Sequence, residues 1–315
     1  MSEPPTTVVY QLAPYYRWPV PEELVSQVAL VEATTGEPLP EGLTGDVLVT
    51  DVRCADMVEV AAATGVRWVH LVSSGLDGVD VAGLRRLGAV VTNSAGASAV
   101  PISEWVLAMM LAFEKRLPDT WIDQPPERWH RPAENLGTLR GRRLGLVGYG
   151  AIGKEVARLA VAFGMEVRVL RRTGRPAEGP SITVVGSPAE AFADAHHVVL
   201  AAPLTPETEG IFGSAALDQV DRGVHLVNIA RGGLVDQDAL RTGLDDGRVA
   251  AASLDTMTPE PLPAGHWLYG HPKVRLSPHV SANWPHMLDA LHAIFWENVR
   301  RHRAGTPLAN VVAEG

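Results

Sequence analysis

The sequence predicts an α/β protein built from two doubly wound, parallel-sheet domains, and three observations carry that reading. Short β-branched runs alternate with longer mixed segments along most of the chain, the pattern of parallel strands covered by helices on both faces. A glycine-rich turn, Gly148 to Gly153, stands between a strand-like run and a helix-like one. The length of 315 residues suits two domains at roughly 100–200 residues each, each able to bury its own core.

In the first ninety or so positions the runs Val8–Leu12, Val28–Val31, Val47–Thr50, Val69–Val72 and Ala89–Val91 read as strands. At Pro101 the pattern turns into a long helix, with proline in the first turn and Trp105, Met109 and Phe113 among its apolar positions. It stops before Pro118. Residues 118–140 hold Trp121, Trp129 and four prolines and read as an irregular arm. A second series of strands follows: Leu144–Gly148, Glu166–Leu170, Ile182–Val185, Val198–Ala202, Val224–Ile229, Ala250–Asp255 and Val274–Ser277. The closing helix, Pro285 to Arg303, is expected to pack back on the first domain. The boundaries are therefore set at 1–99 with 285–315 for one domain and 100–284 for the other.

With 27 basic and 36 acidic side chains the net charge is −9, which argues against non-specific binding of nucleic acid or anionic membrane. Only Lys115, Lys154 and Lys273 are lysines, so lysine-nucleophile chemistry has few candidates and guanidinium chemistry has many. Cys54 is the single cysteine, which excludes an intrachain disulfide and any thiolate-rich metal site. No metal ligand set is proposed. The N-terminal residues lack a secretory pattern, and the apolar stretch from Trp105 to Phe113 contains no more than about half a membrane span. A cytoplasmic location is expected.

The turn Gly148-Tyr149-Gly150-Ala151-Ile152-Gly153 follows Leu144–Val147 and precedes Lys154–Ala162. In a dinucleotide site the first glycine makes the tight turn and the second admits a diphosphate to the backbone. The third lets helix and strand pack closely, and the helix N-terminus supplies amides. A glycine-rich turn without a ligand is the plain alternative. A site for NAD(H) places Asp or Glu at the end of the next strand, roughly 20 residues on, to bind the ribose 2′-hydroxyl. Here that position reads Val169-Leu-Arg171-Arg172-Thr173-Gly-Arg175. Guanidinium groups bind a 2′-phosphate bidentately where a carboxylate would repel it. NADP(H) is expected to be preferred, with NAD(H) possible and a merely solvated basic turn as the alternative.

Three later strand ends carry polar residues: Asn228-Ile-Ala230-Arg231, Leu254-Asp255-Thr-Met-Thr-Pro-Glu260-Pro and Leu276-Ser-Pro-His279. Together with Ser73-Ser74-Gly75-Leu-Asp-Gly-Val-Asp80 and the segment Asn93–Glu104, in this order, the chain resembles the D-isomer-specific 2-hydroxyacid dehydrogenase family. The resemblance implies a Rossmann cofactor domain inserted into a flavodoxin-like catalytic domain, with a cleft between them.

It also implies roles that the residue chemistry supports. Arg231 would hold a substrate carboxylate and the reacting carbonyl oxygen through its two parallel donors. His279 would donate a proton to that oxygen in reduction and take it back in oxidation. Glu260 would bond the other ring nitrogen, orienting the imidazole and favouring its protonated form. Ser74 and Gly75 would bind the carboxylate from the other domain, and Arg53 and Trp284 are pocket candidates. A solvated arginine and a packing indole are equally open readings of those two. Pro203, Thr205, Thr208, Ala230 and Asp255 would line the cofactor, Asp255 beside the nicotinamide carboxamide. An ordinary turn at Pro203–Thr208 and a turn-capping Asp255 are the alternatives. Trp129 would reach a neighbouring subunit's site or simply anchor the arm.

The expected activity is NADP(H)-dependent reduction of a small 2-oxoacid, such as glyoxylate or hydroxypyruvate, to the D-2-hydroxy acid. Glu260 argues against the formate-specific branch, which uses glutamine there. Phosphite-oxidising relatives share the three residues and stay open. A cofactor-sensing, corepressor-like protein of the same fold is the competing class. A homodimer is implied, with the Pro101–Leu117 helix and the arm as contacts.

Overall fold

The computed structural model describes residues 4–12, 19–33, 37–117, 136–172, 179–220 and 222–312. It divides into two compact units, 1–97 with 284–315, and 98–283. The stretch forming the second unit thus interrupts the stretch forming the first.

Among the described residues, the first unit contains a parallel five-stranded sheet in the order β2-β1-β3-β4-β5. Its strands are β1 Thr6–Gln11, β2 Val28–Glu32, β3 Val47–Thr50, β4 Trp68–Leu71 and β5 Val90–Asn93. This is the flavodoxin-like order. Alternation along the strands sorts side chains to two faces: Val8, Tyr10, Val47 and Val49 meet Leu291, Phe295, Trp296 and Val299 of the closing helix. On the other face Val9 and Leu48 meet Met57, Val60 and Leu84. A polar thread crosses the first of these cores. The Trp68 indole donates to Thr92 Oγ1 at 2.8 Å. Thr92 Oγ1 also lies 2.8 Å from His70 Nδ1, and His70 Nε2 lies 3.2 Å from Ser94 Oγ. Burial pushes the His70 imidazole down to about 3, so the ring stays neutral and donates from one nitrogen only.

The second unit contains a parallel seven-stranded sheet, β12-β11-β10-β9-β6-β7-β8. The strands are β6 Arg143–Val147, β7 Glu166–Leu170, β8 Ile182–Val185, β9 His197–Leu200, β10 Val224–Asn228, β11 Val249–Leu254 and β12 Val274–Leu276. The order reverses between β6 and β9, as in a Rossmann domain, where ligands bind outside the carboxyl ends of the strands. One face packs Leu144, Leu146, Val199 and Val227 against the helices Ala99–Glu114 and Ala151–Ala162. The other packs Val198, Leu200 and Leu226 against Phe192, Phe212 and Leu240. The helix expected from Pro101 begins at Ala99. Proline therefore falls within the first turn, where the backbone N–H groups have no helical partner to lose.

At the amino edge of this sheet lies a buried polar chain that sequence reading did not single out. The Glu114 carboxylate is held by Arg142, Nε to Oε1 3.2 Å, and by His197 Nε2 at 3.2 Å. His197 Nδ1 faces His225 Nδ1 at 3.2 Å, and His225 Nε2 meets Ser253 Oγ at 3.0 Å. Phe113 stacks on His225, with ring centroids 4.7 Å apart. Burial drives both histidines below their ordinary value, His225 far below it. Burial alone would raise the Glu114 carboxyl, but the His197 hydrogen bond and the Arg142 charge outweigh it and hold the group low. The hydrogens then have one consistent arrangement. An ionised carboxylate only accepts, so neutral His197 donates from Nε2 and accepts at Nδ1. His225 donates from Nδ1 and accepts the Ser253 hydroxyl.

Among the described residues no helix is long and apolar enough to cross a membrane.

Candidate functional site

Because every strand of the second sheet is parallel, the turns after β6, β7, β9, β10, β11 and β12 all open at one edge. This topology gathers the glycine loop, Arg171, Pro203, Arg231, Glu260 and His279 from widely separated parts of the sequence.

The Arg231 turn is shaped by Asn228, the last residue of β10. Its buried amide accepts from Ala230 N at 3.1 Å and donates to the Arg231 carbonyl at 2.9 Å. Arg231 is half-buried, and its Nη1 donates to the Ala230 carbonyl at 2.6 Å. Next to it Gly232 has no alternative residue: an added Cβ would lie 2.0 Å from the Met257 carbonyl carbon. That close backbone approach seats the Arg231 turn against the turn that leads to Glu260.

Glu260 is held at both oxygens. Oε1 accepts from Met257 N at 2.9 Å, and Oε2 lies 2.9 Å from His279 Nδ1. With the carboxylate as acceptor, Nδ1 carries hydrogen and Nε2 is the ring's remaining nitrogen for chemistry. His279 itself has φ +54°, a left-handed conformation that costs a non-glycine residue roughly 1–3 kcal/mol and that surrounding structure must enforce.

Asp255 enforces it. This residue is fully buried. Its Oδ1 accepts from Ser277 Oγ at 2.5 Å and Val280 N at 2.9 Å, and Oδ2 accepts from Ser281 N at 3.0 Å. The Asp255 carbonyl accepts from His279 N at 2.9 Å. The Asp255 carboxylate thus ties down the loop on both sides of His279. Sequence reading missed the supporting parts played by Asn228 and Ser277. Both were visible as polar residues three and two positions before Arg231 and His279.

In the glycine loop each residue meets a different constraint. Gly148 has φ +98°, and an added Cβ would lie 2.6 Å from the Ala201 carbonyl oxygen. At Gly153 an added Cβ would lie 2.2 Å from the Gly148 oxygen. At Gly150, the N-cap of the helix Ala151–Ala162, a Cβ would meet nothing within 4 Å. Two glycines are thus required by the protein's own packing, and the third leaves open space over a helix N-terminus. That is the arrangement a dinucleotide diphosphate needs, and the first-turn residues Ala151 and Ile152 would hold it.

At the end of β7, Arg171 is half-buried and Arg172 exposed. The Arg171 guanidinium carbon stands 5.4 Å from the Tyr149 ring centroid. Arg175 and Trp129 lie outside the described residues. The Thr208 hydroxyl donates to the Pro203 carbonyl at 2.7 Å and accepts from Thr205 N at 2.8 Å, so it closes a turn at this edge. Ala230 is buried.

In the first unit Arg53 and Ser74 follow β3 and β4 at the carboxyl edge of that sheet. Arg53 pairs with Asp51, Nε to Oδ1 2.6 Å. The Ser74 hydroxyl donates to the Ser94 carbonyl at 3.0 Å, the Ser74 carbonyl accepts from Asn93 Nδ2 at 2.9 Å, and the Gly75 carbonyl accepts from Ser73 Oγ at 2.9 Å. The loop is therefore firmly built. Trp284 is half-buried beside His286, ring centroids 5.6 Å apart, and its buried indole N–H has no hydrogen-bond partner among the described residues.

Residues 107–281 match the family model described as D-isomer specific 2-hydroxyacid dehydrogenase, NAD binding domain. The D-3-phosphoglycerate dehydrogenase of Bacillus subtilis (strain 168) is 30% identical over 250 residues, 79% of this chain and 47% of that one. The hydroxypyruvate reductase of Thermotoga maritima is 32% identical over 211 residues, 66% of each chain. The apo D-mandelate dehydrogenase of Rhodotorula graminis superposes with a TM-score of 0.82 at 21% identity, covering 99% of this chain and 98% of that one. The chain spans about half the length of the B. subtilis relative, 47%. With more than half of its length matching the family model and its motifs assembled at one sheet edge, the chain belongs to the D-isomer specific 2-hydroxyacid dehydrogenase family.

Proposed function

We propose that the protein is an NADP(H)-dependent reductase that converts a small 2-oxoacid, of the glyoxylate or hydroxypyruvate kind, to the D-2-hydroxy acid. The observation that carries the reading is the His279–Glu260 pair, 2.9 Å apart, at the same sheet edge as the glycine loop. The bound nicotinamide would supply the hydride. Arg231 clamps the substrate carboxylate and draws charge toward the carbonyl oxygen, since a planar fork offers two donors to an oxyanion. His279 Nε2 delivers the proton to that oxygen while Glu260 keeps Nδ1 bonded and the ring aimed. Ser74, Gly75, Arg53 and Trp284 of the first unit are the residues we read as substrate-binding. Pro203 and Ala230 line the cofactor, and Arg171 and Arg172 bind its 2′-phosphate. Membership of the family supports a homodimer.

The test is a screen of short and aromatic 2-oxoacids with NADPH and NADH, following loss of reduced-nicotinamide absorbance and the chirality of the product. Turnover of a short acid to its D-hydroxy product, with the higher kcat/KM for NADPH, is expected. No turnover with any acid would overturn the reductase reading in favour of a cofactor sensor. Equal or better kcat/KM with NADH would overturn the cofactor preference.

A further inference from the structure

The glycine loop carries one residue that its phosphate-binding role does not use. Tyr149 stands between Gly148 and Gly150, and its ring is partly buried against the core that contains Val156 and Val169. Its face is therefore fixed by packing. The Arg171 guanidinium carbon lies 5.4 Å from the centroid of that face, within the range at which a ring's negative face attracts a cation. A backbone bond closes the frame: Gly148 N donates to the Leu170 carbonyl at 2.8 Å, joining the glycine loop to the residue that precedes Arg171. Among the described residues no carboxylate pairs with Arg171, whereas its neighbours Arg143 and Arg168 at the other edge of the same sheet both reach Asp194. Among the described residues, the half-buried charged group at this strand end thus rests on an aromatic face, which leaves the guanidinium's hydrogen-bond donors uncommitted to a described acid.

We infer that Tyr149 is a positioning residue for 2′-phosphate recognition: its ring holds the Arg171 guanidinium in place for the cofactor's adenosine end. The inference rests on the reading of Arg171 as a 2′-phosphate ligand. A free arginine side chain loses rotamer entropy when it is fixed, and an aromatic face that fixes it beforehand lowers that cost at the moment of binding. Tyrosine does this without neutralising the charge, which a carboxylate at the same place would do. The effect is specific to ligands that carry a 2′-phosphate, because the ring contributes through Arg171 and not through the diphosphate.

The experiment compares binding of adenosine 2′,5′-bisphosphate and adenosine 5′-monophosphate by calorimetry, in the full chain and in Tyr149→Phe, Tyr149→Leu, Tyr149→Gln and Arg171→Gln, each first checked for an unchanged thermal midpoint. The ratio of the two dissociation constants is the readout. A preference for the bisphosphate that is lost in Arg171→Gln upholds the underlying reading. Given that, Tyr149→Leu and Tyr149→Gln are expected to lower the preference roughly 2–5-fold, the range for a partly exposed cation–π contact, while Tyr149→Phe retains it. If the ringless variants weaken both ligands equally, Tyr149 only shapes the loop and the inference fails. If the unsubstituted chain shows no preference, the reading of Arg171 fails first and takes the inference with it. Two ringless variants are included so that misfolding of one leaves the other to decide.

Discussion

The seven-stranded sheet carries a histidine–glutamate pair at each of its edges. At the carboxyl edge His279 and Glu260 are 2.9 Å apart with side chains 48% and 36% exposed. At the amino edge His197 and Glu114 are 3.2 Å apart with side chains 0% and 3% exposed. The residue types are the same and the distances nearly so, but burial separates the two pairs. Where solvent and ligands reach the ring, its second nitrogen is available for proton transfer. Where they do not, His225 takes that nitrogen, Ser253 ends the chain, and the pair becomes part of the core. A histidine beside a glutamate is therefore not a catalytic signal until its surroundings are known.

The comparison breaks most sharply under substitution. His279→Ala is expected to reduce kcat roughly 10²–10⁴-fold, the usual worth of a positioned acid–base group, while NADPH binding by fluorescence titration stays within about 2-fold and the thermal midpoint hardly moves. A loss of NADPH affinity in step with kcat would remove His279 from its assigned role. At the other edge Glu114→Ala leaves the buried His197 Nε2–H without its acceptor and the partly exposed Arg142 without its buried partner, and is expected to cost about 1–3 kcal/mol of stability. In a calorimetric scan this lowers the melting temperature by roughly 2–4 °C for each kcal/mol. The kcat of the folded fraction should remain near that of the parent chain. An unchanged melting temperature would mean that the buried chain is not a structural element.

The comparison also implies a pH dependence, and its sign follows from burial. His70, His197 and His225 all have native values below the ordinary histidine value of 6.5, so below pH 6.5 the unfolded chain binds protons that the native state refuses. Stability is fully present above pH 6.5 and falls as the pH drops from there, for His70 down to about pH 3. Each such histidine contributes up to about 1.4 kcal/mol per pH unit. Urea midpoints measured at pH 7 and pH 5.5 should differ in that direction. Equal midpoints would show that the buried rings accept protons without unfolding.

Legibility from sequence followed the range of the interactions involved. The strands were legible because a β-branched run burying both faces leaves a local hydrophobic signature, as at Val47–Thr50 and Val224–Asn228. The glycine loop was legible because its steric demands act between near neighbours, such as Gly153 against the Gly148 oxygen at 2.2 Å. Arg231, Glu260 and His279 were legible as motifs in family order, and topology brought their turns to one edge. Asp255 was legible as a polar strand end but not as the anchor of His279, because its partners Ser277, Val280 and Ser281 come from the turn after a different strand. Nothing in the sequence around Glu114, His197 or His225 marks them as partners, since 83 positions separate the first two.

The sequence by itself determined the α/β class, the strand segments, the glycine-rich turn and the identities of the candidate site residues, because these depend on periodicity, on backbone sterics and on the chemistry of single groups. The tertiary structure alone decided which of two histidine–glutamate pairs faces solvent, which aspartate is spent in holding a loop, and which arginine rests on an aromatic face. Those outcomes depend on burial and on contacts between distant strands, and both arise only when the chain is folded.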